Sequence, residues 1–60
     1  MNPAELRSLR KRAGMTQERL AEELGLTRVY VGLMERGLAT IERRTELAVR
    51  YLAQRVADGP

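Results

Sequence analysis

Arginine supplies most of the binding chemistry that this sequence of 60 residues offers. Ten of its eleven basic side chains are arginine, eight side chains are acidic, and the net charge is +3. A guanidinium group forms forked contacts to phosphate and to guanine that an ammonium group does not form. The charge balance therefore favours an anionic partner, although an ordinary solvated surface of mixed charge accounts for it about as well.

Histidine and cysteine are both absent from the sequence. Without them the chain has no disulfide and no thiolate or imidazole ligand for a metal ion. It also has no glycine-rich phosphate loop and no separated carboxylate pair of the kind found in catalytic pockets. We therefore predict that the protein is not an enzyme, uses no cofactor or metal, and has no evident small-molecule ligand.

The segment "TRVYVGLMER", from Thr27 to Arg36, has an arginine near each end and apolar residues between them. If it is a helix, Val31 and Met34 lie four and seven residues beyond Thr27 and face the core. The remaining positions are unusually apolar for the outer side of a short helix. That outer side is predicted to contact either DNA or another protein.

Four helices and no strand are predicted, because Ala, Leu, Glu and Arg dominate and no alternating pattern occurs. The first helix begins at Asn2, with Pro3 in its first turn and Glu5 placed to complete a capping box. The predicted caps of the next three helices are Thr16, Thr27 and Thr40, and the predicted ends of the first three are Gly14, Gly25 and Gly37.

Apolar residues at helical spacing define one predicted core. The predicted inner stripes are Leu6, Leu9 and Ala13, then Leu20, Ala21 and Leu24, then Val31 and Met34, and finally Ile41, Thr45, Ala48, Val49, Leu52 and Val56. The result is a single all-α domain over residues 1–57, with residues 58–60 expected to fray. Because so short a chain buries only about 60% of its unfolded surface, a homodimer is a reasonable expectation.

No apolar run approaches the roughly 20 residues that a membrane-spanning helix needs, and no secretory segment follows Met1. We therefore expect no membrane partner and a cytoplasmic location, associated with the nucleoid.

The predicted second and third helices are joined by only "LGL", residues 24–26, with the glycine in the middle. A turn this short forces the helices to cross steeply, as in a helix-turn-helix, whose second helix enters the major groove of DNA. Ala21 is small enough to allow their close approach, and Gly25 supplies the backbone angle that other residues resist. A plain αα-hairpin without a nucleic-acid partner remains the alternative.

The sequence "LRSLRKRAGMTQERLAEELGLTRVYVGLMERG" resembles the lambda-repressor-like, or Xre-type, helix-turn-helix transcription regulators. The resemblance extends from about Leu6 to Leu52 and implies a small bundle of four or five helices that binds operator DNA, usually as a dimer. It implies that Thr16 and Gln17 hold a phosphate and that Arg10 pairs with Glu35. A direct phosphate contact by Arg10 is the alternative. The loop after "ERG" lacks the proline that is usual in the family.

If the third helix lies in the major groove, Arg28 is placed to bind guanine, and Val29 or Tyr30 to pack on a thymine methyl group. Gly32 would let the helix seat deeply. The full set of predicted base-reading residues is Arg28, Val29, Tyr30, Gly32 and Leu33. The predicted phosphate contacts are Thr16, Gln17, Thr27, Arg36, Arg43 and Arg44. Tyr30 could instead bind a phosphate, and Leu33 could instead contact a partner or be partly buried. A solvated charged face also accounts for Arg43 and Arg44.

Other apolar residues suggest a protein contact. Leu47 and Tyr51 are four residues apart on the fourth helix and lie off its inner stripe, and Leu38 is in the preceding loop. We predict these three residues as dimer contacts. For Leu47 and Tyr51 the alternative is packing against the protein's own core.

The leading functional prediction is thus a small homodimeric transcription regulator that binds an inverted-repeat operator in double-stranded DNA through residues 27–36. Repression is the favoured mode of regulation. The alternative is an antitoxin-like or adaptor module that docks a protein through the apolar face of the third and fourth helices. DNA binding through several arginines should weaken steeply with salt, whereas an apolar protein contact should not.

Overall fold

The computed structural model describes residues 1–57 and contains four helices, α1 (Pro3–Arg12), α2 (Gln17–Leu24), α3 (Arg28–Glu35) and α4 (Arg43–Ala57). Over this part of the chain there is no strand. The predicted all-α class is confirmed, with four helices in place of the range of four to five. The tail predicted to fray, residues 58–60, lies outside the described residues.

Side-chain caps begin the first three helices at the predicted residues. The Oδ1 atom of Asn2 accepts a hydrogen bond from the Glu5 amide at 2.8 Å, and the Glu5 carboxylate accepts one from the Asn2 amide at 3.3 Å, which completes the capping box. The hydroxyl oxygens of Thr16 and Thr27 each accept a bond from the backbone amide three residues later, at 3.1 Å. Each cap satisfies an amide that has no partner inside its own helix.

A left-handed glycine ends α2 and produces the tight corner before α3. Gly25 has a φ of +69°. There the Leu26 amide donates to the Ala21 carbonyl at 2.9 Å and the Gly25 amide donates to Glu22 at 3.3 Å, the pair of bonds that closes a helix in a Schellman motif. Only three residues, 25–27, therefore separate α2 from α3.

The core lies between two packed pairs of helices, α1 against α4 and α2 against α3, with α1 also touching α3. It is apolar throughout the described residues. Its buried members are Leu6, Leu9, Ala13, Leu20, Ala21, Val31, Met34, Val49, Leu52 and Ala53. These side chains come from all four helices, so α3 is held by its inner side and its outer side is left free for contact.

The start of α4 differs from the prediction. The helix begins at Arg43, so Thr40 does not cap it. Instead the Thr40 carbonyl accepts a hydrogen bond from the Tyr30 hydroxyl at 3.3 Å, and Ile41 packs against the core from the loop. These contacts with α3 and the core hold the chain in an irregular conformation where local cap propensity favoured a helix.

The end of the predicted inner stripe of α4 also differs. Ala53 is buried, whereas Val56 is 46% exposed. The 15-residue α4 is longer than the 10-residue α1 against which it packs, so its last turn is incompletely covered. No helix within residues 1–57 combines the length and the apolar character needed to cross a bilayer.

Candidate nucleic-acid interface

The outer side of α3 forms a shallow surface together with the start of α2. Five residues line it, and we call it the α3 surface: Gln17, Arg28, Val29, Gly32 and Arg36. Val31 and Met34 lie on the opposite side of the helix and are fully buried. The tertiary structure therefore separates α3 into a core side and an outer side.

The α3 surface combines two cations with an apolar centre. Arg28 and Arg36 are exposed near the two ends of the helix, and Val29 between them is 64% exposed. The Arg36 Nε atom lies 3.4 Å from the Gly32 carbonyl, a long hydrogen bond that leaves its terminal nitrogens free. Such a surface can bind anions at its ends and methyl groups at its middle.

Gly32 lies where α3 meets the start of α2. A Cβ atom at this position would be 3.8 Å from the Gln17 Oε1 atom, an ordinary van der Waals distance. There is therefore room for a small side chain at this position. Because glycine has none, no side chain projects from the outer side of α3 here.

Tyr30 and Leu33 do not line the α3 surface, although both were predicted to read bases. Tyr30 is half-buried, packs against the core, and donates its hydroxyl hydrogen to the Thr40 carbonyl. Leu33 is also half-buried. Tyr30 thus lies against the loop before α4, and its base contact stays a prediction. The cause of this position is the long-range hydrogen bond to Thr40, which helical spacing does not reveal.

Arg10 and Glu35 form an ion pair that joins α1 to the end of α3. The Arg10 Nε atom donates to Glu35 Oε2 at 2.6 Å and its second terminal nitrogen donates to Oε1 at 3.1 Å. The two side chains are only 12% and 5% exposed. The first terminal nitrogen of Arg10 also donates to the Met15 carbonyl at 3.0 Å. Each of the three guanidinium nitrogens thus donates to a protein acceptor, so the group has a structural role.

Gln17 extends this pair into a network. Its Nε2 atom donates to Glu35 Oε1 at 3.2 Å, which fixes the amide beside Gly32. The network thus holds the end of α1, the beginning of α2 and the end of α3 in one arrangement. Sequence reasoning missed the bond between Gln17 and Glu35, because the two residues are 18 positions apart and no local pattern links them.

The network also sets the protonation of Glu35. Partial burial by itself raises the pKa of this carboxyl. Hydrogen bonds from Arg10 and Gln17, with the positive charges of Arg10 and Arg7, outweigh burial and hold the pKa below its ordinary value. Glu35 therefore remains charged at neutral pH and keeps Arg10 and Gln17 in place.

The start of α2 can bind an anion. The Thr16 oxygen accepts a hydrogen bond from the Arg19 amide, so its hydroxyl hydrogen remains free to donate. The first amides of α2 have no partner inside the helix, and the helix dipole adds a positive potential there. Thr27 caps α3 in the same way and also retains its hydroxyl hydrogen. In the chain, Thr16 and Thr27 each come directly before a residue of the α3 surface, Gln17 and Arg28 respectively.

Arg43 and Arg44 are in the first turn of α4 and do not line the α3 surface. Both are exposed. Arg44 lies 3.4 Å from Glu42, but its side chain is 85% exposed, and exposed pairs of this kind contribute little. Both guanidinium groups are thus available to an external anion.

Four large apolar side chains outside α3 are exposed within the described residues, and three of them, besides Val56, are the predicted dimer contacts. Leu38 is 69% exposed, Leu47 is 53% exposed and Tyr51 is 62% exposed. Leu38 lies in the loop after α3, and Leu47 and Tyr51 lie one turn apart on the outer side of α4. The Arg55 guanidinium sits 5.9 Å from the centre of the Tyr51 ring, at cation–π distance. The exposed Tyr51 ring therefore has a cation beside it.

Comparison with protein families gives a match to most of the chain. The family model described as "Helix-turn-helix" matches residues 6–49, which span α1 to the middle of α4. The match confirms the resemblance to lambda-repressor-like regulators, a family of DNA-binding proteins and not of enzymes. No curated protein and no solved structure gives a significant match to the chain.

Proposed function

The chain belongs to the helix-turn-helix family of DNA-binding transcription regulators, and from that premise we propose that it is a homodimeric repressor of an inverted-repeat operator. The observation that carries the proposal is the α3 surface, which presents Arg28, Val29 and Gly32 on the side of α3 opposite the core. In this proposal α3 lies in the major groove and reads the bases there.

Base recognition depends on few hydrogen bonds. Arg28, in the first turn of α3, donates two bonds to the O6 and N7 atoms of a guanine. Val29 packs on a thymine methyl group, the main apolar feature of the major groove. Gly32 lets the helix approach the base edges closely, and Leu33 contacts a methyl group or sugar at the border. Tyr30 has a supporting role, because its hydroxyl orients the loop before α4.

Affinity comes mainly from phosphates. On one side, Thr16, Gln17 and the free amides of α2 bind the DNA backbone, and the charged Glu35 keeps Gln17 in position. Thr27 and Arg36 bind phosphates at the two ends of α3. Arg43 and Arg44 bind the backbone farther along, from the first turn of α4.

The dimer places two copies of α3 in successive major grooves. Half-sites then lie about one helical turn apart, roughly 34–36 Å. The proposed contacts between the copies are made by Leu47 and Tyr51 of α4, with Leu38 at the border. Their exposure supports this assignment, since such side chains on a domain with a small core gain most from burial in an interface.

The test of base reading compares Arg28→Ala with Gln17→Ala in a binding selection against random duplexes. Arg28→Ala should relax preference at one base pair by about 1–3 kcal/mol, since only one guanine contact is lost. Gln17→Ala should weaken binding to all sequences alike. Circular dichroism would establish that both variants are folded. An unchanged base preference in Arg28→Ala would exclude the proposed role of Arg28.

The test of the dimer is Leu47→Ser, measured by sedimentation equilibrium without DNA. We expect the dimer dissociation constant to rise at least about tenfold, or roughly 1.4 kcal/mol, because an apolar contact is lost. Val29→Ser is the matched control, since it removes a similarly exposed apolar side chain from the α3 surface and should leave the dimer intact. Equal dissociation in both variants, or a wild-type protein that stays monomeric, would contradict the proposed interface.

A protein-docking module is the second candidate, and the exposure of Leu38, Leu47 and Tyr51 is the observation that favours it. Salt titration separates the two functions. Binding to duplex DNA should weaken steeply as salt increases, whereas docking of an apolar protein surface should be nearly independent of salt.

A further inference from the structure

A second groove adjoins the α3 surface on the side of α1. It lies between the outer side of α1 and the end of α3, and we call it the α1 groove. Its lining includes Pro3, Arg7, Ser8, Lys11, Glu35 and Arg36. Arg36 also lines the α3 surface, so the two concave surfaces meet at this side chain.

The α1 groove is strongly basic. Arg7 and Lys11 are four residues apart, so they project from the same side of α1. Both are exposed, and neither forms an ion pair or a side-chain hydrogen bond with any residue between 1 and 57. Glu35 is the acidic residue in the lining, and its charge is already matched by Arg10. The groove therefore presents Arg7, Lys11 and Arg36 without a competing free carboxylate.

The α1 groove is linked to the start of α2 through Glu35. Glu35 lines the groove and also accepts the hydrogen bond from Gln17. The start of α2 and the α1 groove are thus connected through one carboxylate. A DNA strand that contacts the start of α2 carries further phosphates on either side of that contact, since each strand bears one charge about every 3.4 Å of helix axis.

We propose that the α1 groove binds the sugar–phosphate backbone next to the major groove that α3 occupies, with Arg7 and Lys11 contacting phosphates beyond those held at the start of α2. This inference rests on the proposed function of the α3 surface. It adds α1 to the interface as a sequence-independent contact, which extends the protein's footprint along the flank of each half-site. Because phosphate contacts carry no base information, Arg7 and Lys11 raise affinity for every sequence equally.

Arg12 provides a matched control for general electrostatic attraction. It is also an exposed cation on α1, but it does not line the α1 groove. Arg7→Gln, Lys11→Gln and Arg12→Gln each remove one positive charge from the same helix. A difference among them therefore reports contact with phosphate, because their effect on net charge is identical.

The experiment measures the affinity of each variant for a short mixed-sequence duplex over a series of salt concentrations. Each lost phosphate contact should reduce the slope of log affinity against log salt by about 0.9. We expect this reduction in Arg7→Gln and in Lys11→Gln, and no comparable change in Arg12→Gln. Arg7→Lys keeps the charge and should restore the slope. Thermal unfolding of every variant would establish that the fold is retained.

The outcomes separate this inference from the proposed function. If the wild-type protein bound no duplex, the proposed function itself would fail. The wild-type protein could instead bind duplex with an affinity that falls steeply with salt, while Arg7→Gln and Lys11→Gln keep the wild-type slope. Only the role of the α1 groove would then be overturned. Equal slope reductions in all three glutamine variants would also overturn it, since they would indicate long-range attraction without contact.

Discussion

Replacement of Arg10 by methionine should destabilise the protein by about 3–5 kcal/mol, the usual cost of leaving one member of a buried ion pair without its partner. Glu35 is 5% exposed and would retain only Gln17 as a hydrogen-bond donor. The Met15 carbonyl would lose its bond to Arg10 as well. A core of this size rarely supplies more than roughly 3–5 kcal/mol, so the free energy of unfolding of the variant should be near zero and a large fraction should be unfolded at room temperature. Urea denaturation followed by circular dichroism measures the change.

Two variants control for other effects of the Arg10 substitution. Arg12→Met removes an exposed arginine from the same helix and should change stability by no more than about 0.5 kcal/mol. Arg10→Met combined with Glu35→Met removes both charges and should recover most of the lost stability, because an apolar pair carries no unmatched charge. A loss below about 1 kcal/mol in Arg10→Met would mean that solvent replaces the ion pair, as it does at exposed sites.

Acid titration provides a second measurement on the same variant. In the wild-type protein the pKa of Glu35 is lowered from its ordinary value of 4.5, so its contribution to stability is complete above that pH. The contribution is lost as the pH falls below 4.5 and passes through the lower pKa of the folded state. In Arg10→Met, protonation of Glu35 instead removes an unmatched charge. The stability difference between the two proteins should therefore be largest near neutral pH and narrow in acid.

Replacement of Gly32 by leucine should weaken DNA binding about a hundredfold, or roughly 2.8 kcal/mol, without loss of stability. A large side chain on the outer side of α3 would hold the helix away from the base edges and disturb the contacts of Arg28 and Arg36 together. Stability should rise by about 0.5–1 kcal/mol, because glycine is unfavourable inside a helix. The two measurements, duplex binding by fluorescence anisotropy and urea denaturation, should thus change in opposite directions.

Gly32→Ala is the graded control for this prediction. Its Cβ atom would lie 3.8 Å from Gln17, so the substitution fits without rearrangement and should bring a similar gain in stability. Its effect on binding should be smaller than that of leucine, since a methyl group displaces α3 less. Wild-type affinity in Gly32→Leu would show that α3 does not approach the duplex closely at this position.

The helices of this protein could be predicted well where local interactions determine them. Asn2, Thr16 and Thr27 cap α1, α2 and α3 as predicted, because each side chain bonds to an amide only three residues away. The tight turn at Gly25 could be predicted equally well, since a positive φ is unfavourable for other residues. Most of the buried core also followed from helical spacing alone.

The outer residues of the candidate site could be predicted, but the hydrogen bonds between distant segments could not. Helical spacing correctly separated Val31 and Met34, which are buried, from the outer residues of α3. It did not reveal that Tyr30 bonds to Thr40, and for the same reason it placed the start of α4 at a threonine inside the loop. The bond and the start of α4 both depend on contacts between segments about ten residues apart, on which the local pattern carries no information.

Local chemistry in the sequence therefore determined the caps, the glycine ends and the apolar stripes, since these depend on neighbours within one helical turn. Only the tertiary structure decided that Gln17 bonds to Glu35, that Gly32 lies beside Gln17, and that the α1 groove meets the α3 surface at Arg36. Those arrangements depend on how α1, α2 and α3 pack against one another. The packing is fixed by the combined burial of side chains from all four helices, a condition that no single stretch of sequence contains.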